Sequence, residues 1–366
     1  MKSDYESDLN PRRGNVFLRS ILVTCPSWVG DTVMAIPAFR TIRESFPRAE
    51  ICLLVRPYVR KLIEELPYFD SIIDYDPKGK DRGARPYLSF VRRLKKKRFD
   101  MSIILPNSFA SALIPFLSGI PQRIGYNEDG RGFLLTERIA PLRESGKKIP
   151  VPMVDRYLKI CERLHGATSS RRTHLVLSRD AEEKAEKMYA RYGIGRDEKT
   201  VLITPGAAFG SSKLWRAEYF AQVADRLIER YNCRVLISPG PGEEDIARKI
   251  EAAMKHPPIS LVDEIAPLDL LASLIRRASL LVTNDTGPRH VAFALERPTV
   301  VIMGPTDPRY SSCHVDDQTV ILRKELPCVP CHLKECPTDH RCMDLITPQE
   351  VFEVSCHLLE SSKQAV

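Results

Sequence analysis

Short apolar runs recur along the chain, with longer amphipathic or charged stretches between them. In the first half they are Ile21 to Thr24, Ile51 to Val55, Ser71 to Tyr75 and Met101 to Leu105. In the second half they are Val201 to Thr204, Arg234 to Ser238, Ser260 to Val262, Leu280 to Thr283 and Thr299 to Met303. Runs that are apolar throughout, rather than alternating, are strands covered on both faces, and the stretches between them supply helical covers. The pattern predicts an α/β protein with two parallel, doubly wound sheets. Val154 to Leu164 has helical spacing, and Gly166 to Arg172 is small, polar and basic, which suits a connection between the halves. A charged helix is expected from about Asp180 to Tyr192. After Thr347-Pro348, the positions Val351, Val354, Leu358 and Leu359 mark a terminal amphipathic helix. The expected organisation is a disordered extension over 1–19, a first Rossmann-like domain over 20–172, a second over 173–346, and a helix and tail over 347–366.

Length and composition agree with this division. A chain of 366 residues suits about two domains, and 43% hydrophobic content supports real cores. No apolar run approaches the roughly 18 residues that span a bilayer. Met1 to Arg19 lacks the apolar stretch of a secretory signal, so a cytoplasmic location is expected. Ten cysteines in that compartment are free thiols or metal ligands rather than disulfides, and Cys25, Cys52 and Cys233 sit in or beside apolar strands as small hydrophobes. The net charge of +8 suits a polyanionic partner. It is concentrated in Arg92-Arg93-Leu94-Lys95-Lys96-Lys97-Arg98, with Lys78, Lys80, Arg82 and Arg85 upstream, either a solvated helix face or a binding surface.

Several strand-to-helix turns carry candidate chemistry. The strand Leu280 to Thr283 runs into Asn284-Asp285-Thr286-Gly287-Pro288-Arg289-His290. There Asp285 and Thr286 are expected to cap a helix, and Pro288 suits its first turn. Such a helix start attracts phosphate, most simply a nucleotide diphosphate. The next strand ends in Gly304-Pro305-Thr306-Asp307-Pro308, a second polar turn at the same sheet edge, where open α/β sheets bind ligands. Near the front, Cys25-Pro26-Ser27-Trp28-Val29-Gly30-Asp31-Thr32 places Asp31 at a helix start, as a general base or as a cap. Pro37 soon afterwards requires a kink or a restart of the helix.

Thr204-Pro205-Gly206-Ala207-Ala208-Phe209-Gly210-Ser211-Ser212-Lys213-Leu214-Trp215 is rich in small residues, and Lys213 there either neutralises a diphosphate or is solvated beside a packing tryptophan. The loop lacks the Gly-Lys-Ser/Thr of a Walker motif, and the Rossmann glycine fingerprint is missing, which counts against a nicotinamide or flavin enzyme. Pro239-Gly240-Pro241-Gly242-Glu243-Glu244 offers two glutamates, either of which can meet a ribose or cap the following helix. Asp74-Tyr75-Asp76 spells a metal-binding Asp-x-Asp but closes a strand in the first half, away from the phosphate loops, and is rejected as a metal site. Cys328, Cys331, Cys336 and Cys342 either wrap a structural zinc or form a reduced thiol-rich loop. A basic, zinc-bearing nucleic-acid-binding protein is the rival of another class; it lacks a recognition helix or an RNA-binding signature and leaves Asp31 and the phosphate loops idle.

Taken together, Gly30-Asp31, the Pro205-Gly206 loop with Lys213 and Trp215, Asn284-Asp285-Thr286-Gly287 with His290, and Gly304-Pro305-Thr306-Asp307-Pro308 resemble the ADP-heptose:lipopolysaccharide heptosyltransferases over about Ile21 to Leu359. Pro152-Met153-Val154-Asp155-Arg156-Tyr157 and the tail Cys336-Pro337-x-x-His340-Arg341-Cys342-Met343 are most similar to the heptosyltransferase II branch. The resemblance implies a glycosyltransferase B-type fold with two domains facing a central cleft, acceptor on the first and ADP-heptose on the second. It implies inversion at the anomeric carbon without a catalytic metal or further cofactor. Asp31 would be the general base, and Thr204, Gly206, Lys213, Glu244, Asp285, Thr286, Gly287 and His290 would bind the donor. Arg56, Arg60 and Lys61, with the Arg92 to Arg98 segment, would meet acceptor phosphates and carboxylates or the anionic inner leaflet. The implied acceptor is the lipopolysaccharide inner core, heptosyl-Kdo-lipid A. The nearest rival is a sister transferase, heptosyltransferase I or one for another sugar; no nucleic acid is expected. Arg216 departs from the proline that many relatives carry after the tryptophan.

Overall fold

The computed structural model describes residues 18–164, 170–311 and 318–361. The expected extension therefore lies almost wholly outside the described residues. The first six-stranded sheet comprises β1 (Ser20–Thr24), β2 (Glu50–Val55), β3 (Ser71–Asp74), β4 (Met101–Ile104), β5 (Gln122–Tyr126) and β6 (Glu137–Ile139). A two-stranded hairpin follows, β7 (Arg143–Glu144) and β8 (Lys147–Lys148). The second six-stranded sheet comprises β9 (Thr200–Thr204), β10 (Arg234–Ile237), β11 (Ile259–Ser260), β12 (Leu280–Asn284), β13 (Thr299–Ile302) and β14 (Thr319–Leu322). The orders are β3-β2-β1-β4-β5-β6 and β11-β10-β9-β12-β13-β14, so one doubly wound topology occurs twice. Within each sheet neighbouring strands run parallel, as in β1 with β2 and β9 with β12. The fold class read from the sequence is the fold observed.

The central strands read as continuous apolar runs: Ile21, Leu22 and Val23 of β1 and Val201, Leu202 and Ile203 of β9 are buried. Two unpredicted outer strands, β6 and β14, are half-exposed or polar and lack that signature. The unpredicted β5 begins with Gln122 and Arg123, which mask its run. At the other edge, β11 pairs through Ile259 and Ser260, one residue before the expected run; Leu261 and Val262 are buried beyond the ladder.

Helix Met153–Glu162 packs on Ile36–Ser45 in the first half, and Arg179–Arg191 packs on Leu268–Arg277 in the second. We propose that the division between domains falls in the connection between those two pairs. The terminal helix Pro348–Ser361 packs on Ala217–Tyr231, and the Trp215 indole donates to the Ile346 carbonyl at 2.9 Å, tying this helix to the second sheet. Arg216, at the departure from the resemblance, pairs with Asp344, its Nε donating at 2.7 Å. Among the described residues, no helix is long and apolar enough to cross a membrane.

The halves meet where the carboxyl ends of β1 and β12 give way to helices. Val29–Met34 lies against Gly287–Ala294, and Pro57–Ile63 lies against Leu268–Arg277. Two glycines permit the first approach: a Cβ on Gly30 would sit 2.6 Å from His290 Cδ2, and one on Gly287 would sit 2.8 Å from Val29 Cβ. Lys61 and Asp269 face each other at 3.8 Å across the second approach.

Candidate active site

Asp31 is the third residue of the short helix Val29–Met34, whose N-cap Trp28 makes no side-chain capping bond. The helix stops at Ala35 and restarts as Ile36–Ser45, with Pro37 in its first turn where no amide hydrogen is needed. The Asp31 carboxylate is not a cap; it is hydrogen-bonded to the Tyr157 hydroxyl. Burial pushes its pKa up to about 6, against the opposing effects of that hydrogen bond and of the Lys213 charge. A carboxylate poised there is ionised at neutral pH yet basic enough to accept a proton.

Tyr157 carries no site role in the sequence reading and is the first residue it missed. It is buried on helix Met153–Glu162, and burial, then the Asp31 charge, raise its pKa well above the usual value, so it stays a protonated donor. Arg156 fixes that helix: it pairs with Glu128 at 2.6 Å and lies over the Tyr126 ring at 4.4 Å. The only sequence signal for Tyr157 was its place in the Pro152-to-Tyr157 motif.

On the facing wall, Lys213 Nζ donates to the Asp285 carboxylate at 2.7 Å and to its carbonyl at 2.9 Å. The solvated reading of Lys213 is therefore wrong. Two of the three ammonium donors are spent in these bonds. Asp285 does not cap the helix as expected, and neither does Thr286, whose hydroxyl turns back to the Asn284 carbonyl at 3.4 Å. Asp285 is instead buried at the centre of a cluster: Arg289 Nε lies 2.8 Å away and the Thr306 hydroxyl donates at 2.5 Å. Burial alone would raise its pKa, but Arg289 and Lys213 hold the carboxyl well below the usual range. Two cations against one carboxylate leave this wall net positive, and no side chain caps the amides at the start of helix Gly287–Ala294. Arg289, also missed, is an i,i+4 partner of Asp285 that the sequence did contain. Its Nε also lies 3.3 Å from His290 Nε2. Burial and the Arg289 charge lower the His290 pKa well below its usual value, so the ring is neutral.

The remaining donor-side residues divide. Thr204 is buried, and its hydroxyl donates to Thr283 Oγ1 at 2.6 Å, which commits it to joining β9 and β12. Asn284 donates to the Pro205 carbonyl at 2.6 Å and so fixes the loop carrying Gly206. The space beside Gly206 is filled by a neighbour: a Cβ there would sit 1.6 Å from Glu243 Oε2. Glu243, not the expected Glu244, therefore lies against this loop, accepting from the Gly240 amide at 2.8 Å. Burial raises its pKa, countered by the Gly240 and Ala207 amides. Glu244 accepts from the Gly242 amide at 3.2 Å.

Of the basic residues assigned to the acceptor, Arg56, Arg60 and Lys61 have neighbours of their own. Arg60 is paired with Glu64 and Asp74, each at 2.9 Å; Lys61 faces Asp269; Arg56 lies over the Tyr75 ring at 4.8 Å. Asp74 is the partner of Arg60 in that contact, and Asp76 accepts from the Gly79 amide at 3.0 Å in the turn that follows, so the two Asp-x-Asp carboxylates are separately engaged. Exposed aromatic surface lies nearer the base: Trp28 is 57% exposed, and Tyr58, 55% exposed, feels the Asp31 charge. Cys342 is buried, Cys331 and Cys336 are half-buried, and Cys328 is exposed. Among the described residues, no group of three or more His, Cys, Asp or Glu converges as a metal site, so of the two readings of the four cysteines the zinc set finds no support here.

Residues 87–341 match the family described as glycosyltransferase family 9 (heptosyltransferase). The chain is 31% identical over 301 residues to lipopolysaccharide heptosyltransferase 2 of Escherichia coli, covering 80% of this chain and 84% of that one. It is 28% identical over 346 residues to lipooligosaccharide heptosyltransferase 2 of Campylobacter jejuni, covering 93% and 99%. Among solved structures it resembles Escherichia coli ADP-heptose lipopolysaccharide heptosyltransferase II, with a TM-score of 0.76 and 26% identity over 94% of this chain and 99% of that one. A family 9 glycosyltransferase from Veillonella parvula shares the fold, with a TM-score of 0.82 at 22% identity over 94% and 98%.

Proposed function

Because the chain belongs to glycosyltransferase family 9, the heptosyltransferases, we propose that its facing helix starts form the site of heptose transfer from ADP-heptose to the lipopolysaccharide inner core. The observation that carries this reading is the approach of Asp31 and Lys213 from opposite walls, close enough for the lysine charge to act on the aspartate. One wall supplies a base and the other a field for an anionic leaving group. That is the demand of a glycosyl transfer from a nucleoside diphosphate sugar.

In this mechanism the acceptor is a heptose hydroxyl. Asp31 takes its proton as the oxygen attacks the donor's anomeric carbon, and the bond from that carbon to the diphosphate breaks. Attack from the face opposite the leaving group inverts the centre, with no covalent intermediate. Tyr157 holds the carboxylate in place. Negative charge developing on departing ADP meets the remaining Lys213 donor and the open amides of helix Gly287–Ala294. These groups provide the positive field in place of a catalytic metal. Arg289 and Thr306 hold Asp285 so that it orients Lys213, and neutral His290 packs on Gly30 as a spacer between the walls. Glu243 beside Gly206 is placed to take the ribose hydroxyls, in preference to Glu244. Such an acceptor is anchored in lipid, so the enzyme works at the inner membrane's cytoplasmic leaflet.

The test is incubation of the purified chain with ADP-heptose and two defined acceptors, one ending in heptose and one in Kdo alone, with products read by mass. Addition of one heptose to the first supports the reading. Use of only the second would reassign the chain to the sister reaction, and use of neither would refute it.

A further inference from the structure

Residues 82–126 carry nine Lys or Arg and a single carboxylate, Asp100, and that one accepts from the Arg19 and Ser20 amides at 2.8 and 3.0 Å. Two adjacent helices of this segment form one outer face. Ala84–Lys97 buries Phe90, Val91 and Leu94 and turns Leu88, Arg92, Lys95 and Lys96 to solvent. Phe109–Leu117 buries Ser111, Ala112, Ile114 and Pro115, yet its other side is apolar as well: Phe109, Phe116 and Leu117 are each 40% exposed. The helices adjoin where Ser118 Oγ meets the Val91 carbonyl at 3.5 Å. Arg123 lies over the Phe116 ring at 5.3 Å. Among the described residues, Arg93 is the member of the basic run that forms an ion pair, with Asp81.

An apolar helix side with a basic rim and no acidic counterpart matches one kind of surface, the headgroup region of an anionic bilayer, where rings and leucines enter the acyl boundary and cations meet phosphates. The face also has a direction. Phe109 follows the carboxyl end of β4 and stacks near Phe133, 64% exposed, at 6.0 Å, so the apolar stripe begins at the sheet edge that carries Asp31.

We propose that the outer face of helices Ala84–Lys97 and Phe109–Leu117 docks the enzyme on an anionic phospholipid bilayer and presents the Asp31 edge to an acceptor anchored in the same leaflet. This rests on the heptose-transfer reading for the acceptor, but not for the binding itself. Sedimentation of the full chain with vesicles of phosphatidylglycerol and phosphatidylcholine, or of phosphatidylcholine alone, tests it directly. The parent should partition onto the anionic vesicles, with affinity falling about tenfold or more in Arg92→Glu with Lys95→Glu and in Phe116→Ser with Leu117→Ser. Both double variants should retain parental transfer to a deacylated, water-soluble acceptor, which also reports that they fold, and should lose transfer to acceptor embedded in anionic vesicles. Equal binding by parent and variants overturns the proposal. So does a parent that self-associates through this face, seen as a dimer that the Phe116 and Leu117 changes dissociate without altering vesicle binding. Vesicle binding without transfer to any acceptor would sink the heptose-transfer reading and leave the docking face standing.

Discussion

Replacing Asp31 by Asn separates chemistry from stability, because the two should move in opposite directions. The amide keeps the shape of the carboxylate and still accepts from Tyr157, but it cannot take a proton. Loss of a general base costs about a hundredfold or more in rate. The stability effect follows from the raised pKa. The folded state binds this proton more tightly than the unfolded chain, so the ionised carboxylate carries a penalty that is absent below the unfolded value of 3.8, grows as pH rises, and is complete above about 6. A rise from 3.8 to about 6, at about 1.36 kcal/mol per unit, gives about 3 kcal/mol as the ceiling. Half of that is the working expectation, since Asn retains the desolvation cost of its own amide. Urea unfolding of parent and variant should coincide near pH 4 and diverge toward about pH 8, with the variant more stable by about 1 to 3 kcal/mol. Transfer should be abolished while ADP binding changes by less than about threefold, because the proposed diphosphate site is on the wall opposite Asp31. Near-parental turnover would refute the base assignment, and a variant no more stable at high pH would refute the buried, poised carboxylate.

Tyr157→Phe removes the hydrogen bond that lowers the Asp31 pKa, so the acid limb of the pH profile of kcat/KM should move upward by on the order of one unit; an unmoved limb would detach Tyr157 from the base. Lys213→Ala should weaken ADP binding, measured by calorimetry, by about ten- to a hundredfold and lower kcat as well, since the lysine is placed to meet the diphosphate before and during its departure. ADP binding as tight as the parent's would confine Lys213 to holding Asp285. Gly30→Ala places a Cβ against His290 and should push the walls apart, lowering kcat by about tenfold or more while ADP affinity stays near parental; unchanged kcat would mean that this approach is irrelevant to turnover.

Strands buried on both faces announce themselves, which is why the runs at β1, β4, β9 and β12 were legible in the sequence. The half-exposed β14 and the polar β6 were not, because an edge strand need cover only one side. Asp31 and the Asp285-to-His290 turn were legible as strand-to-helix junctions, a local property. What those residues do there depends on partners distant in the chain. Asp285 reads as a cap until Lys213, on another loop, is seen to neutralise it, and Tyr157 has no local mark at all. Which of Glu243 and Glu244 lies against the Gly206 loop is a one-residue difference that composition cannot fix and the fold does. Arg60 looks available in sequence but is paired with Glu64 and Asp74 in space, and Lys61 faces Asp269. A charge census cannot see that pairing.

The central claim is that two facing helix starts transfer heptose with inversion, using a carboxylate base and protein cations in place of a metal. One measurement reaches it most directly: nuclear magnetic resonance of the product formed from ADP-heptose and a heptose-terminated inner-core acceptor in excess EDTA. The account predicts one added heptose with the anomeric configuration opposite to the donor's, formed at the rate seen without chelator. A product that retains the donor's configuration, or activity lost in EDTA and restored by magnesium at a temperature where the fold persists, would contradict it.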